Sequence, residues 1–258
     1  MIEIEDLHKS FGPKIVLDGV NLTIPAGQTM CIIGKSGCGK SVLIKNIVGL
    51  LQPDKGRVIV DGKDVSKLKR KELFELRQKI GFVFQGSALF DSMTVYENVI
   101  ISLWEKGLRD QRILEEEAKK VLKAVSLLPD NNGENSSDFE REWKILKDKK
   151  PSDLSGGMKK RVGVARALVG NPEYILYDEP TTGLDPVTSE QIDRLIARLA
   201  KKFNVTSIVI THDMFSVQRV ADKVAMLDEG KVKFEGTPQE LELSTDPAVI
   251  EFLERYKN

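Results

Sequence analysis

Residues 34–41 read "GKSGCGKS", and this octet decides what the rest of the chain can be. It matches G-x-x-x-x-G-K-[ST] without a mismatch and stands after a strand-like run and before a helix-like one. Gly34, Gly37 and Gly39 let the backbone curl so that its N–H groups face phosphate oxygens. Lys40 reaches the β- and γ-phosphates of a nucleotide, and the Ser41 hydroxyl ligates Mg²⁺. Cys38 lies inside the loop, where a helix N-terminus and Lys40 can lower a thiol pKa; the competing reading is a small filler.

Working outward, the sequence surrounds this loop with alternating β and α patterns. Ile2 and Ile4, "IVLDGVNLTI" (15–24) and "QTMCIIG" (28–34) read as short strands, and an apolar helix follows over about 40–51. "GRVIVDGKDV" (56–65) is a strand with an Asp61–Gly62 turn. "SKLKRKELFELRQKI" has helical spacing, and "GFVFQ" (81–85) is a short buried strand. From Thr94 to about Leu128, and again from Ser155 to Leu168, the pattern is helical. "YILYDE" (174–179), a helix over 186–202, "TSIVITHD" (206–213), a helix over 214–221 and a closing hairpin turning at Glu229–Gly230 complete it. Apolar β-branched strands alternating with helices mean a parallel sheet covered on both faces. The expected fold is α/β: a parallel core with an antiparallel β subdomain, over 1–91 and 171–243. Into it is inserted a helical subdomain over 92–170, and a helical extension over 244–258 follows.

Composition excludes several classes. Lys+Arg and Asp+Glu each number 39, so no net charge favours nucleic acid or an anionic membrane. Two cysteines, Cys31 and Cys38, make no disulfide framework. The opening "MIEIEDLHKS" lacks the basic-then-apolar run of a signal peptide. The most apolar window, "VLIKNIVGLL" (42–51), is short and broken by Lys45 and Asn46, so any membrane role is expected to come through a partner.

Further motifs supply chemistry. "YILYDE" delivers Asp178 to the carboxyl end of a strand, where parallel sheets bind ligands, to hold Mg²⁺. Glu179 follows and can take a proton from an attacking water. His212 closes the next strand and points into the same crevice, within reach of a γ-phosphate. Gln85 ends another strand and can position water and Mg²⁺. With only His8 and His212 present, no histidine metal cluster can be built. Phe11, before a Gly12–Pro13 turn, either stacks on a base or packs in the core. In "GLDP" (183–186), Asp185 is an N-cap and Pro186 an N1 residue.

"LSGGMKKR" (154–161) is an odd helix start: Ser155 is a good N-cap, but two glycines follow. Lys159, Lys160 and Arg161 then add three cations near the positive end of the dipole. An anion approaching bare backbone N–H groups accounts for such a composition.

The phosphate loop, Gln85, "LSGGM", "YILYDE", "GLD" and His212, in this order and spacing, resemble the P-loop ATPases of the ATP-binding cassette family over roughly residues 1–240. The resemblance implies a RecA-like core and a head-to-tail dimer around two Mg-ATP, with the signature helix of one copy capping the γ-phosphate held by the other. It implies nucleotide contacts at Phe11, Gly34, Lys35, Ser36, Gly37, Cys38, Gly39, Lys40, Ser41, Val42, Ser155, Gly156, Gly157 and Asp185. Mg²⁺ ligation falls to Ser41, Gln85 and Asp178, and catalytic roles to Glu179, His212, Lys40 and Gln85. Met158, where most members carry Gln, together with "FQGSALFDSMTVYENV" (84–99), is similar to the ATPases of Mla/Mce-type lipid-trafficking transporters of bacterial envelopes. That finer likeness implies a multi-spanning permease gripped by a groove that includes Leu89 and Phe90, a lipid-binding Mce-type protein, and a peripheral place on the cytoplasmic face of the inner membrane. Importers for amino acids or phosphate remain alternatives, as does a soluble cassette acting on nucleic acid, although no nucleic-acid partner is expected.

Two segments stand apart. In 130–150, Ser137 and Glu140 form a capping-box pattern. Phe139, Trp143 and Leu146 share one helical face, which either packs on the helical subdomain or meets a partner. In the tail, Asp246 is an N-cap and Pro247 an N1 residue; Ile250 and Leu253 form an apolar stripe that docks on the chain's own core or on a neighbouring subunit.

Overall fold

Strands that alternate apolar and polar residues make up one sheet, and strands that are apolar throughout lie at the centre of a second. The computed structural model describes residues 1–129 and 136–255. β1 (Ile2–Phe11), β2 (Lys14–Ile24), β4 (Lys55–Val60) and β5 (Lys63–Asp64) form an antiparallel sheet in the order β2-β1-β4-β5. Ile2 and Ile4 face inward while Glu3 and Glu5 do not, the period-two pattern of a one-sided sheet.

β3 (Thr29–Ile33) and β8 (Thr206–Ile210) are buried at every position, as strands covered on both faces must be. With β6 (Ile80–Val83), β7 (Tyr174–Asp178), β9 (Lys223–Asp228) and β10 (Lys231–Gly236) they form a second sheet in the order β10-β9-β3-β8-β7-β6. β9 through β6 run parallel, and β10 is an antiparallel edge strand. The carboxyl ends of β3, β6, β7 and β8 therefore lie along one rim of the sheet, and every chemistry-bearing residue expected at a strand end is carried there.

α1 (Lys40–Ile47), shorter than the expected 40–51, follows β3, and α2 (Arg70–Gln78) precedes β6. Between β6 and β7 lie α3 (Val95–Glu105), α4 (Gln111–Ala124), α5 (Ser136–Lys147) and α6 (Gly156–Leu168). The long helical stretch after Thr94 is thus two helices. Thr94 caps the first through a capping box with Glu97, and Asp110 caps the second. Ser137 lies inside α5 rather than before it, so it is not that helix's N-cap; residues 130–135 lie outside the described residues. The face read from spacing is the buried one: Phe139, Trp143 and Leu146 are at most 5% exposed. Trp143 stands edge-on to Tyr96 with ring centroids 5.8 Å apart, and the Lys119 ammonium lies 5.5 Å from the Trp143 ring.

α7 (Pro186–Phe203), capped by Asp185, packs beside α8 (Met214–Val220), and α9 (Pro238–Glu242) and α10 (Pro247–Glu254) close the chain. Asp246 caps α10 as expected, and Leu253 packs against the core as expected, but the fully buried residues are Val249 and Phe252, whereas Ile250 is 41% exposed. One residue of offset turns the stripe, because the docking surface lies on the chain's own core and not where spacing alone put it. Glu251 on the same helix pairs with Lys35 at 3.0 Å, which seats α10 beside the phosphate loop. Among the described residues no helix is long and apolar enough to cross a membrane.

Candidate functional site

The phosphate loop is built from two close approaches that only glycine permits. Gly34 adopts φ 145°, and a Cβ there would lie 2.0 Å from the Leu227 carbonyl oxygen. Gly39 adopts φ 109°, and its Cβ would meet the Val16 carbonyl at 2.8 Å. Gly39 is also the N-cap of α1, and with no side chain to cap that turn, the first N–H groups of α1 stay open for an anion. Lys40 is buried along its stem, and its ammonium is held by the carbonyls of Gly34 at 2.7 Å and Lys35 at 3.0 Å.

One cavity of about 620 Å³ gathers the residues read from distant parts of the sequence. Its wall includes Gly34, Ser36, Gly37, Gly39, Lys40, Ser41 and Val42 from the loop. Gln85 comes from the end of β6, Asp178 and Glu179 from the end of β7, and His212 from just beyond β8. Phe11 lines the mouth and is 48% exposed, so of its two readings core packing fails. Lys14, Val16 and Ile210 also line the cavity and belong to no motif; only their places beside Phe11 and before His212 could have signalled them. Cys38 is 8% exposed, and burial pushes its thiol pKa up, with Lys40 only partly opposing. The filler reading stands, and the lowered pKa does not: helix end and lysine are outweighed by lost hydration.

At the far wall the chain turns into the left-handed region at Glu179 (φ 50°), whose N–H donates to the Ile210 carbonyl at 3.0 Å. This swings the carboxylate toward His212, whose Nδ1 lies 2.9 Å from Oε1 and 2.8 Å from Oε2. With the carboxylate ionised, Nδ1 carries the shared proton, and in the neutral ring Nε2 is left as acceptor. Burial, then the neighbouring Glu179, raise the pKa of Asp178, while Lys40 and Lys45 oppose them. A buried carboxylate beside a second one stores an electrostatic deficit that a cation relieves. The oxygen donors Ser41, Gln85 and Asp178 share the cavity and suit Mg²⁺, which takes one or two carboxylates plus substrate phosphates. Among the described residues no group of three His, Cys, Asp or Glu side chains is arranged to hold a metal ion by itself.

The signature residues lie elsewhere. Ser155, Gly156 and Gly157 line a separate depression of about 470 Å³ with Asp185 and Thr188. Ser155 caps α6 as expected, its hydroxyl accepting from the Met158 N–H at 3.3 Å. Gly157 has a reason inside the chain: a Cβ there would meet the Thr188 methyl at 2.9 Å. Gly156 is exposed, and a Cβ there would meet only Leu184, at 3.4 Å. Of the three cations, Lys160 turns inward to the Gln85 carbonyl, and Arg161 donates to the Val125 carbonyl at 2.8 Å. Lys160 thus points away from the exposed turn, whereas Arg161 also lines its depression and donates to Gln191 there at 3.3 Å.

Known proteins share both the sequence and this arrangement of parts. The family model described as ABC transporter matches residues 17–182. The chain belongs to the ABC transporter family. This cassette is 37% identical over 252 residues to a probable ribonucleotide transport ATP-binding protein, mkl, of Mycobacterium tuberculosis, covering 98% of this chain and 66% of that one. It is 36% identical over 253 residues to MlaF, the intermembrane phospholipid transport system ATP-binding protein of Haemophilus influenzae, covering 98% of this chain and 90% of that one. Among solved structures, the dimeric ATP-binding cassette MJ0796 bound to ADP and Pi superposes with a TM-score of 0.78 at 33% identity. That match covers 92% of this chain and 99% of MJ0796. The cassette is therefore an ATP-hydrolysing subunit of the ABC type, with the antiparallel sheet, parallel core and helical subdomain of that fold.

Proposed function

We propose that two copies of the cassette close head to tail around two Mg-ATP molecules and drive a membrane permease that moves phospholipid or another lipid between envelope membranes. One observation carries the dimer: the chain's phosphate loop, Gln85, Asp178, Glu179 and His212 share a single cavity, whereas its signature turn lies in a different depression. Each chain thus holds one part of the site and offers the other part to a second copy.

In this reading the first-turn N–H groups of α1 and Lys40 bind the phosphates, and Phe11 stacks on the base. Ser155, Gly156 and Gly157 of the second copy meet the γ-phosphate. Glu179 accepts a proton from the attacking water while His212, hydrogen-bonded to that carboxylate, keeps it oriented. Ser41, Gln85 and Asp178 would hold Mg²⁺, which would supply charge neutralisation to the transferring phosphoryl group. Hydrolysis removes the anion shared by both chains and loosens the interface.

The permease reading rests on a groove of about 610 Å³ lined by Phe74, Phe84, Phe90, Ile101, Lys106 and Arg166, among others. Phe74, Phe84 and Phe90 are each 45–50% exposed. Among the described residues neither Lys106 nor Arg166 pairs with a carboxylate; both donate to backbone carbonyls. Such a groove fits a short apolar segment that carries an acid. Phe90 lines it as expected; Leu89, expected there too, is turned toward the core. A peripheral place on the cytoplasmic face follows from that contact. The lipid substrate and an Mce-type partner rest on the likeness of "LSGGM" and residues 84–99 and on MlaF; the ribonucleotide name of mkl points elsewhere.

Glu179→Gln with ATP is expected to elute as a dimer in gel filtration, and elution as a monomer at every protein and ATP concentration would overturn the head-to-tail site. For the substrate, a permease co-purified with the cassette should carry phospholipid and stimulate turnover in phospholipid vesicles; stimulation by an amino acid or a nucleotide instead would replace the lipid reading.

A further inference from the structure

Beyond its signature turn, α6 presents Lys160, Gly163 and Arg166, spaced three apart on one helical face, to the segment Gln85–Ala88. Lys160 Nζ donates to the Gln85 carbonyl. Arg166 donates from Nη2 to the Ser87 carbonyl and from Nη1 to the Ala88 carbonyl, both at 2.8 Å. Between them, Gly163 lies against the loop: a Cβ there would sit 3.5 Å from the Ser87 Cβ, an ordinary contact. A Cβ at Gly81 would lie 2.1 Å from the Ala167 carbonyl, so the helix is also pressed against the start of β6. Three of the four carbonyls of this segment are thus held by two cations from one helix.

The segment needs holding. Ser87 and Ala88 adopt φ 63° and 42°, two successive left-handed residues of which neither is glycine. Ser87 is 3% exposed, so solvent does not satisfy it. Lys160 makes little sense as packing: it is 6% exposed, and its three donors meet one acceptor, the Gln85 carbonyl, among the described residues. No carboxylate lies within ion-pair distance of it among the described residues. Burial holds its pKa below the usual lysine value, with Glu179 opposing. A methionine would fill the same space at no electrostatic cost.

We propose that Lys160 and Arg166 are positioning residues that lock the backbone of Gln85–Ala88 to α6, so that Gln85 moves as one body with the Ser155–Gly157 turn. The lock itself is a property of a single chain; what it transmits rests on the proposed function. There, the turn senses nucleotide on the second copy, Gln85 serves the chain's own nucleotide, and Arg166 with Ala88 and Phe90 borders the permease groove. An occupant of that groove therefore pulls on the same three carbonyls.

Lys160→Met keeps the stem and removes the ammonium, and Lys160→Arg restores a donor. Hydrogen exchange on the full chain without nucleotide reads the Ser87 amide, which donates to the Phe84 carbonyl at 2.9 Å. The expected result is a roughly tenfold loss of protection over 85–88 in Lys160→Met, with β7 and β8 unchanged and Lys160→Arg like the parent. At saturating ATP, the Mg²⁺ concentration for half-maximal hydrolysis is expected to rise roughly tenfold, as for loss of a group that orients a metal ligand. Parent-like exchange over 85–88 overturns the lock. A loss of protection spread evenly over the chain, with a fall in Tm, also overturns it, because the lysine then only supports the fold. A local loss with unchanged Mg²⁺ dependence overturns the positioning role. If Lys160→Met does not fold, Arg166→Lys, which keeps the charge and loses the planar fork, is read by the same criteria. A Glu179→Gln chain that stays monomeric with ATP would sink the head-to-tail reading and leave the exchange result standing.

Discussion

Two helices in this chain begin next to glycines, and they begin in opposite ways. At α1 the glycines are demanded from within, since Gly34 and Gly39 face carbonyls of Leu227 and Val16 that leave no room for a side chain. That helix has no side-chain cap and opens into a cavity walled by its own chain. At α6 the cap is already made by Ser155, Gly157 answers to Thr188, and Gly156 faces outward. The first start is a finished receptor for phosphate. The second is finished as a helix and has room left over only on its outer side, which is what a surface completed by another copy requires.

Substitutions at the two helix starts put that contrast to the test. Lys40→Ala should have the largest effect, lowering phosphate release by at least about 10³-fold, because preorganised charge at a developing anion is lost. Gly34→Ala comes next: the added methyl must displace the Leu227 backbone, so nucleotide binding by the isolated chain should fail. Gly156→Ala, with its Cβ in ordinary contact, should leave nucleotide binding intact and weaken only ATP-dependent dimerisation of the Glu179→Gln background. Equal effects of the two on binding by a single chain would erase the distinction. Ser155→Ala should cost about 1 kcal/mol of chain stability in a denaturant titration, the usual worth of an N-cap, together with a weaker dimer.

The smallest effect tests the seam between the two regions. Asp193 on α7 accepts from Ser216 on α8 at 2.9 Å, and Ser216 lies 3.1 Å from Asp213, the residue after His212, while α7 itself starts at the signature depression. Burial, with Asp213 adding to it and Ser216 and Arg219 opposing, pushes the Asp193 pKa up to about 6. The folded chain therefore holds that proton more tightly than the unfolded chain does. The cost of ionising it is absent below the ordinary aspartate value, grows as pH rises and is complete above about 6. Asp193→Asn, measured by Tm against the parent, should gain a few degrees between pH 4.5 and pH 7.5. A constant offset across that range would show that the seam is not strained.

The fold and most of the nucleotide cavity are legible in the sequence because backbone geometry is written locally. A glycine loop between a strand and a helix, and acids at strand ends, leave few ways to build a sheet. Side chains with long reach are not legible. Nothing within "LSGGMKKR" says that Lys160 turns to Gln85 or Arg161 to Val125, since their acceptors come from 75 and 36 residues away. The buried face of α10 escapes spacing for a related reason: Val249 and Phe252 are chosen by the surface they meet, and Ile250 is as apolar as either. Cys38 is open to two readings because its neighbours in sequence attract a thiolate, while its burial comes from the rest of the fold.

The place of β3 in its sheet has a consequence for biosynthesis. Among the described residues, the strand that launches the phosphate loop pairs only with β8 and β9, which emerge from the ribosome far later. A nascent chain that has already translated Gly34–Ser41 has no partner strands on which to set that loop, and waits on the order of ten seconds for them. ATP therefore cannot act as a scaffold for the growing polypeptide. Translation must pass Asp228 before the product can be ligand-stabilised, which leaves a window in which holdase chaperones, and not nucleotide, must guard the apolar β3.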